Sequence, residues 1–400
     1  MVLFYYIYFY LVLFYPVIEA YSGVNVIIYL FIALLIIATH QKKFKRDYRN
    51  LKFANVSLMC LIIYVATQTL FFNGDVVVLK AAFKVLIVPL ANVYSLSCLF
   101  KICNRKDFLQ DLITISTVAA IVSLLLYLVP SVAQTIRDLT GATAQLNNDI
   151  RDRGYGIASS LFSGYPLIQA WCAFLCLIKG RGKFKYIQFI LITFSIILNA
   201  RTSLFLLIGM IILHYLMFSS FKNTMKLILY VLLGVVLFVT TGVYERFADV
   251  FNFVQDAIFM ISDEFFGTSY TNGFGHFSGL MDSFLIWPEN IKEWIFGHGN
   301  YMLTGSQRGS SDIGFILQLN YGGIVYLFLI SYPLLYLMNK LYKNKRWEPF
   351  LCVFLTVFLL NWKGDMFLQT NFVFLTLSLF LNTDFLGAYE NNFRYNSRIQ

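Results

Sequence analysis

Apolar runs of 16 to 22 residues recur from one end of this chain to the other, and no soluble core is built that way. A helix must hold roughly 20 apolar residues to cross the hydrocarbon of a bilayer, because each residue advances it by only about 1.5 Å. Charge agrees with the pattern: only 13% of the 400 residues are charged, against about 25% in an ordinary soluble domain. The sequence therefore predicts an all-α polytopic integral membrane protein in one domain, 1–400. The runs place spans at 2–20, 23–40, 53–72, 80–101, 109–130, 156–178, 186–199, 203–218, 227–244, 313–338, 349–362 and 367–382, about twelve in all. The opening run has no basic n-region and no small-residue cleavage site, so it reads as a first span and not as a signal peptide.

The connections alternate in charge. "QKKFKRDYRNLK" (41–52) holds six basic residues and one acid, "KGRGKFK" (179–185) four and none, and "NKLYKNKRWE" (339–348) four and one. The connections between them are poor in Lys and Arg. The positive-inside rule makes the basic turns cytoplasmic and puts both termini on that side. It also accounts for the net charge of +10, which sits in juxtamembrane turns and not in a basic domain, so no nucleic-acid partner is expected. Two long connections face outward, a first periplasmic loop at 131–155 and a large one at 245–312. The large loop carries nine acids and three bases. Within it, "ERFADVFNFVQDAIFMI" has the apolar period of a helix lying on the outer membrane face. "GLMDSFLIWPENIKEWIFGHGNY" has helical patches broken at Pro288 and at Gly297-His298-Gly299. All six cysteines lie in or at the inner ends of apolar runs, so no disulfide is expected, and Cys172 and Cys176 lack the further ligands of a zinc site.

Positive charge on the outward side needs its own reason. Arg151 and Arg153 stand in "NNDIRDRGYGIASSLFSGYPL", Arg308 in the large loop, and Lys80 and Lys84 one helical turn apart. Arg201 is the most unusual, in "LNARTSLFLL" between two apolar runs with no room for a loop. The run before it, 186–199, covers only about 21 Å of a core roughly 30 Å thick, which recesses Arg201 below the surface. An arginine at that depth faces a polar cavity or pairs with an anion. The planar guanidinium can give two hydrogen bonds to one phosphate, so the cluster suits a diphosphate at the membrane face. Structural readings compete: Arg151 and Arg153 can pair with Asp149 and Asp152, Arg201 can pair with Asp365, and Lys80 and Lys84 can snorkel. Lys363, after another short run, is a milder case.

These residues sit in elements that resemble the O-antigen polymerases of bacterial inner membranes, relatives of the O-antigen ligases. "NARTSLFLLIGMI" is similar to the family's Ser/Thr-Arg element opening a span, and "WIFGHGNY" to its Phe-Gly-x-Gly turn. "SSDIGFILQLNYGGIVYLFLI" is similar to the element that ends the large loop, and Arg153 with Gly164 fits an Arg-x(10)-Gly pattern. Arg308 does not fit it, since Leu319 stands where the glycine belongs. The resemblance covers the whole length in topology. It implies a GT-C-like polymerase–ligase architecture and a metal-independent glycosyltransferase. That enzyme would join undecaprenyl-diphosphate-linked oligosaccharide units at the periplasmic face of the inner membrane, in lipopolysaccharide biosynthesis. It needs no cofactor, and a chain-length regulator protein is a possible partner. Cationic groups, here Arg153, Arg201, Arg308 and Lys80, would bind the diphosphate and stabilise the charge developing on it.

The acceptor hydroxyl needs a base. Asp312 is the first candidate, because the related ligases carry a histidine in the comparable element. Its structural alternative is that Ser311 or Asp312 caps the helix beginning near Ile313. His298 is the second candidate, with a surface turn histidine as its alternative. His276 and His214 carry less weight, and Gly322-Gly323 read as a place where helices pack closely. Two other functions stay open at this stage, an O-antigen ligase and a flippase for lipid-linked oligosaccharide. A flippase would show two repeated halves, which are not visible here.

Overall fold

The computed structural model describes residues 1–16, 22–71, 74–140, 157–158, 164–199, 201–218, 286–299, 301, 313–361, 367 and 369–382. Among them every regular element is a helix: α1 (Val2–Phe14), α2 (Ser22–Thr39), α3 (Gln41–Asn50), α4 (Lys52–Phe71), α5 (Val76–Ile102), α6 (Phe108–Leu128), α7 (Pro130–Thr140), α8 (Gly164–Lys179), α9 (Lys185–Asn199), α10 (Arg201–Phe218), α11 (Ile291–Phe296), α12 (Gly314–Lys343), α13 (Trp347–Leu355), continued by a π-helical turn (Thr356–Leu360), and α14 (Thr370–Asn382). Every predicted span except 227–244, which lies outside the described residues, overlaps an apolar helix in part or whole. Among the described residues four helices (α4, α5, α6 and α12) are long and apolar enough to cross a membrane, or five if the bent pair α2–α3 is one span. The other apolar helices have 10–17 residues, fewer than a straight crossing requires. The chain is a membrane protein by these helices; of the roughly twelve expected spans, four to five are matched among the described residues by helices long enough to cross alone.

The helices form because their apolar faces are wide and their ends are stopped. In α1, Tyr5, Phe9 and Leu13 recur at four-residue spacing and are buried together. Asp107 caps α6, its carboxylate accepting from the Gln110 amide at 3.0 Å. The helix α8 is the innermost, with every side chain from Gly164 to Cys176 buried. It packs against α6, α9, α10 and α14, while α5 packs against α2, α4 and α14. The helix α14 thus joins the two groups. On the outside, Phe71, Ile63 and Phe328 expose 76%, 63% and 57% of their surface, as lipid-facing residues do.

The basic turns meet at one end of the bundle. Lys179 pairs with Glu348 at 3.2 Å, and Arg181 with Asp107 at 3.3 Å. Arg105 forks onto Asp111, which also accepts from Tyr5 (3.1 Å) and Tyr6 (2.8 Å) on α1. The bond to Asp111 raises the guanidinium pKa further above its ordinary value, so this charge is permanent. One reading changes here. The stretch 41–52 is not a loop, because α2 turns through 107° and continues as α3. The first outward loop also differs, since 131–140 belongs to α7.

Candidate functional site

At the opposite end, α12 is broken. Gly323 has φ 64° and ψ −165°, outside the helical region, with helix on either side of it. The stretch 324–343 spans about 30 Å, enough to cross the apolar core alone, so the break sits near the far membrane face. A helix that stops leaves its last carbonyls without intrahelical partners. Here the segment after α11 supplies donors. The His298 amide donates to the Asn320 carbonyl at 2.8 Å, and the Gly299 amide to the Tyr321 carbonyl at 3.0 Å. The Tyr64 hydroxyl donates to the Gly322 carbonyl at 2.7 Å. The two chains touch backbone to backbone. A Cβ on Gly297 would strike the Tyr321 carbonyl and the Gly322 amide, and one on Gly323 would strike the backbone of Ile295 and Phe296. Both glycines also have positive φ, which an L side chain disfavours. The Gly322-Gly323 pair permits close packing of α11 and α4 on α12, as expected, and it also breaks α12 and admits the Gly-His-Gly segment.

Polar side chains from α4 and α5 complete the seat. Gln68 donates to the Phe296 carbonyl at 2.5 Å and to the Tyr64 hydroxyl at 2.8 Å. Asp75, the residue before α5, donates its amide to the Gly299 carbonyl at 2.9 Å and accepts from the Tyr301 amide at 2.6 Å. The first half of α12 is anchored separately. The Gly314 amide donates to the Asn361 carbonyl at 2.8 Å, and Gln318 donates to the Asn361 side chain at 3.2 Å. On the basic side of the break, a narrow apolar cleft between α4, α5 and α12 is lined by Leu58, Ile62, Ala82, Pro333 and Leu334.

His298 is half-buried in this seat, and Asn320 orients its ring. Nε2 of His298 lies 3.2 Å from Oδ1 of Asn320. The Asn320 amide nitrogen donates to the carbonyls of Ile286 (2.7 Å) and Ile316 (2.9 Å). With its nitrogen engaged by two carbonyls, Asn320 turns its oxygen towards the imidazole. That contact fixes the orientation of the imidazole. Histidine bases in hydrolases are oriented by a hydrogen-bonded partner in the same way.

The other nominated residues divide as follows. Lys80 is exposed on α5, about 8 Å along the helix axis from Asp75. Lys84 lies over the Tyr15 ring at 5.3 Å. Arg201 is the first residue of α10, so the turn after α9 is as tight as the sequence suggests; its side chain lies outside the described residues. Asn199, two residues before, is buried and donates to Ser123 at 3.1 Å. Arg153, Arg308 and Asp312 lie outside the described residues, as do Arg151, His276, Lys363 and Asp365. The helix α12 starts at Gly314 with Ile313 before it, and Ser311, the other capping candidate, also lies outside the described residues. His214 packs edge-on against Phe174 with centroids 5.7 Å apart. Tyr64, Gln68, Asp75 and Asn320 were not singled out from the sequence. Only the glycines at 297, 299, 322 and 323 signalled that two backbones meet there. No protein-family model, curated protein or solved structure matches the chain.

Proposed function

We propose that this chain is a membrane glycosyltransferase of the O-antigen polymerase kind, joining undecaprenyl-diphosphate-linked oligosaccharide units. The observation that carries the reading is His298, half-buried and held by Asn320, at the end of the bundle opposite the basic turns. By the positive-inside rule that end is periplasmic, and the membrane is the bacterial inner membrane. The other support is the resemblance in topology and in the elements around Arg201 and Gly297. Of the two candidate bases, His298 lies among the described residues and Asp312 outside them.

In the proposed reaction a hydroxyl of the acceptor repeat unit attacks the anomeric carbon of the donor glycan. The new C–O bond forms as the bond from that carbon to the phosphate oxygen breaks. Undecaprenyl diphosphate departs with the bonding electrons, and the hydroxyl proton passes to the imidazole of His298. Arg201, with Arg153, Arg308 and Lys80, would stabilise the leaving diphosphate as its charge grows. No step calls for a metal.

The test is elongation of a lipid-linked repeat unit by the purified protein. His298→Ala is expected to slow elongation by about 10²–10⁴-fold at unchanged abundance, the usual contribution of a general base. Arg201→Ala is expected to abolish polymer, with lysine restoring only part, since a point charge lacks the guanidinium fork. Transfer to a lipid A core acceptor only would favour a ligase. Movement of the lipid across vesicles with no new glycosidic bond would favour a flippase and overturn the proposal.

A further inference from the structure

We infer that α3 is an interfacial helix that docks on the phosphate headgroups of anionic lipids. Its length of ten residues carries two different faces. On one, Lys43 and Asp47 are buried and paired at 2.8 Å, one helical turn apart. Asp47 also accepts from Ser97 of α5 at 2.7 Å. Phe44 and Tyr48 pack on Tyr94 of α5, with centroids 5.1 and 6.5 Å away. These contacts pin the helix to the bundle and neutralise its only acid internally. On the other face, Lys42, Lys45, Arg46 and Arg49 are all exposed. They stand at i, i+3, i+4 and i+7, which is a single stripe along the helix. Lys52, exposed at the start of α4, extends it. Arg46 leans towards Asp47 at 3.8 Å, but that carboxylate is already held by Lys43 and Ser97.

The position of the stripe selects its occupant. The preceding helix exposes Ile27, Phe31 and Leu34 by 60% or more, and the following one exposes Val56, Met59 and Ile63. Both are lipid-facing, and only His40 and Leu51 separate them from α3. The 107° turn at His40 then lays α3 across the span direction, in the plane of the membrane surface. The anions at that depth are lipid phosphates. A basic amphipathic helix in that plane gains about fivefold in partition for each cation brought near an anionic surface.

The inference is independent of the glycosyltransferase reading, and its test measures no activity. Full-length protein in neutral detergent is titrated with phosphatidylglycerol or phosphatidylcholine, and bound lipids are counted by native mass spectrometry. The expected result is a preference for phosphatidylglycerol that falls at least tenfold in K42Q/K45Q/R46Q/R49Q. The half-variants K42Q/R46Q and K45Q/R49Q should each give an intermediate loss, which keeps the test open if the quadruple variant fails to fold. K343Q/K345Q removes two exposed cations from another basic turn and should leave the preference intact. Equal loss in that control, no preference in the parent, or full displacement of the lipid by millimolar inorganic phosphate would each overturn the inference.

Discussion

Gly323 and Gly297 are where single atoms decide the architecture. Each lies at positive φ, and each would drive a Cβ into the opposite backbone, which has no side-chain end to swing away. Gly323→Ala or Gly297→Ala should therefore cost more than the roughly 1–3 kcal/mol of a strained backbone alone, and should lower the thermal midpoint in detergent. Gly209 is the contrast. It sits within α10 with a regular backbone, and an added methyl would meet only the Leu355 and Leu359 side chains, both at 3.8 Å. Gly209→Ala is expected to raise stability by about 0.4–1 kcal/mol, by narrowing the unfolded ensemble and filling space. A lower midpoint for Gly209→Ala than for Gly323→Ala would refute the account of the break. His298 belongs to this scale too. Asn320→Ala should lower turnover less than His298→Ala, because the imidazole remains but is no longer held in place by the amide oxygen. The pH dependence of elongation should move as well, which a purely structural residue would not cause.

Among the elements, α3 and α12 each depart from a plain span, for opposite reasons. The helix α12 is interrupted because two glycines permit it and another segment satisfies the released carbonyls. The segment α3 stays helical where a loop was expected because Lys43, Asp47 and Ser97 bury a closed set of partners. Removing one member should be severe. Asp47→Ala leaves the Lys43 ammonium buried without its counter-charge and is expected to cost about 3–5 kcal/mol. The double change K43M/D47L removes both charges and should recover most of that loss. Equal destabilisation of the single and double variants, read as thermal midpoints, would mean that the pair is not what holds α3 down. At 287–296 the same logic works at the far end. Trp287 and Trp294 stack at 5.7 Å beside the seat of His298, each with an exposed face suited to the membrane interface.

For the molecule as a whole, the organising fact is polarity between two ends. One end gathers the basic turns and ties them with Lys179–Glu348, Arg181–Asp107 and Arg105–Asp111. The other holds the broken helix and His298. Reporter fusions after residues 182 and 345 are expected on one side of the membrane, and a fusion at 298 on the other. Residues 182 and 298 on the same side would remove the periplasmic face from the proposed reaction. The helix α14, packed between α5 and α8, links the two helix groups, so damage there should loosen both ends together.

The membrane class was legible in the sequence because the hydrophobic requirement of a bilayer acts on every residue of a span and leaves a long, local signature. The charge alternation, the tight turn at Arg201 and the breaks at Pro288 and Gly297 were legible for the same reason: each is a local preference of a residue or a short run. The lengths of the helices were less so. The helix in the expected span 2–20 closes at Phe14, where Tyr15 takes the left-handed conformation. The seat of His298 could not be read at all. Gln68 reaches a carbonyl 228 positions away, and Tyr64 one 258 positions away. Nothing about a glutamine or a tyrosine inside an apolar run announces such a partner. Asn320 takes its meaning from Ile286 and His298, which only the folded chain brings beside it. Hydropathy is additive along the chain and survives without a structure. Hydrogen-bond complementarity is a property of pairs, and only tertiary packing decides which pairs meet.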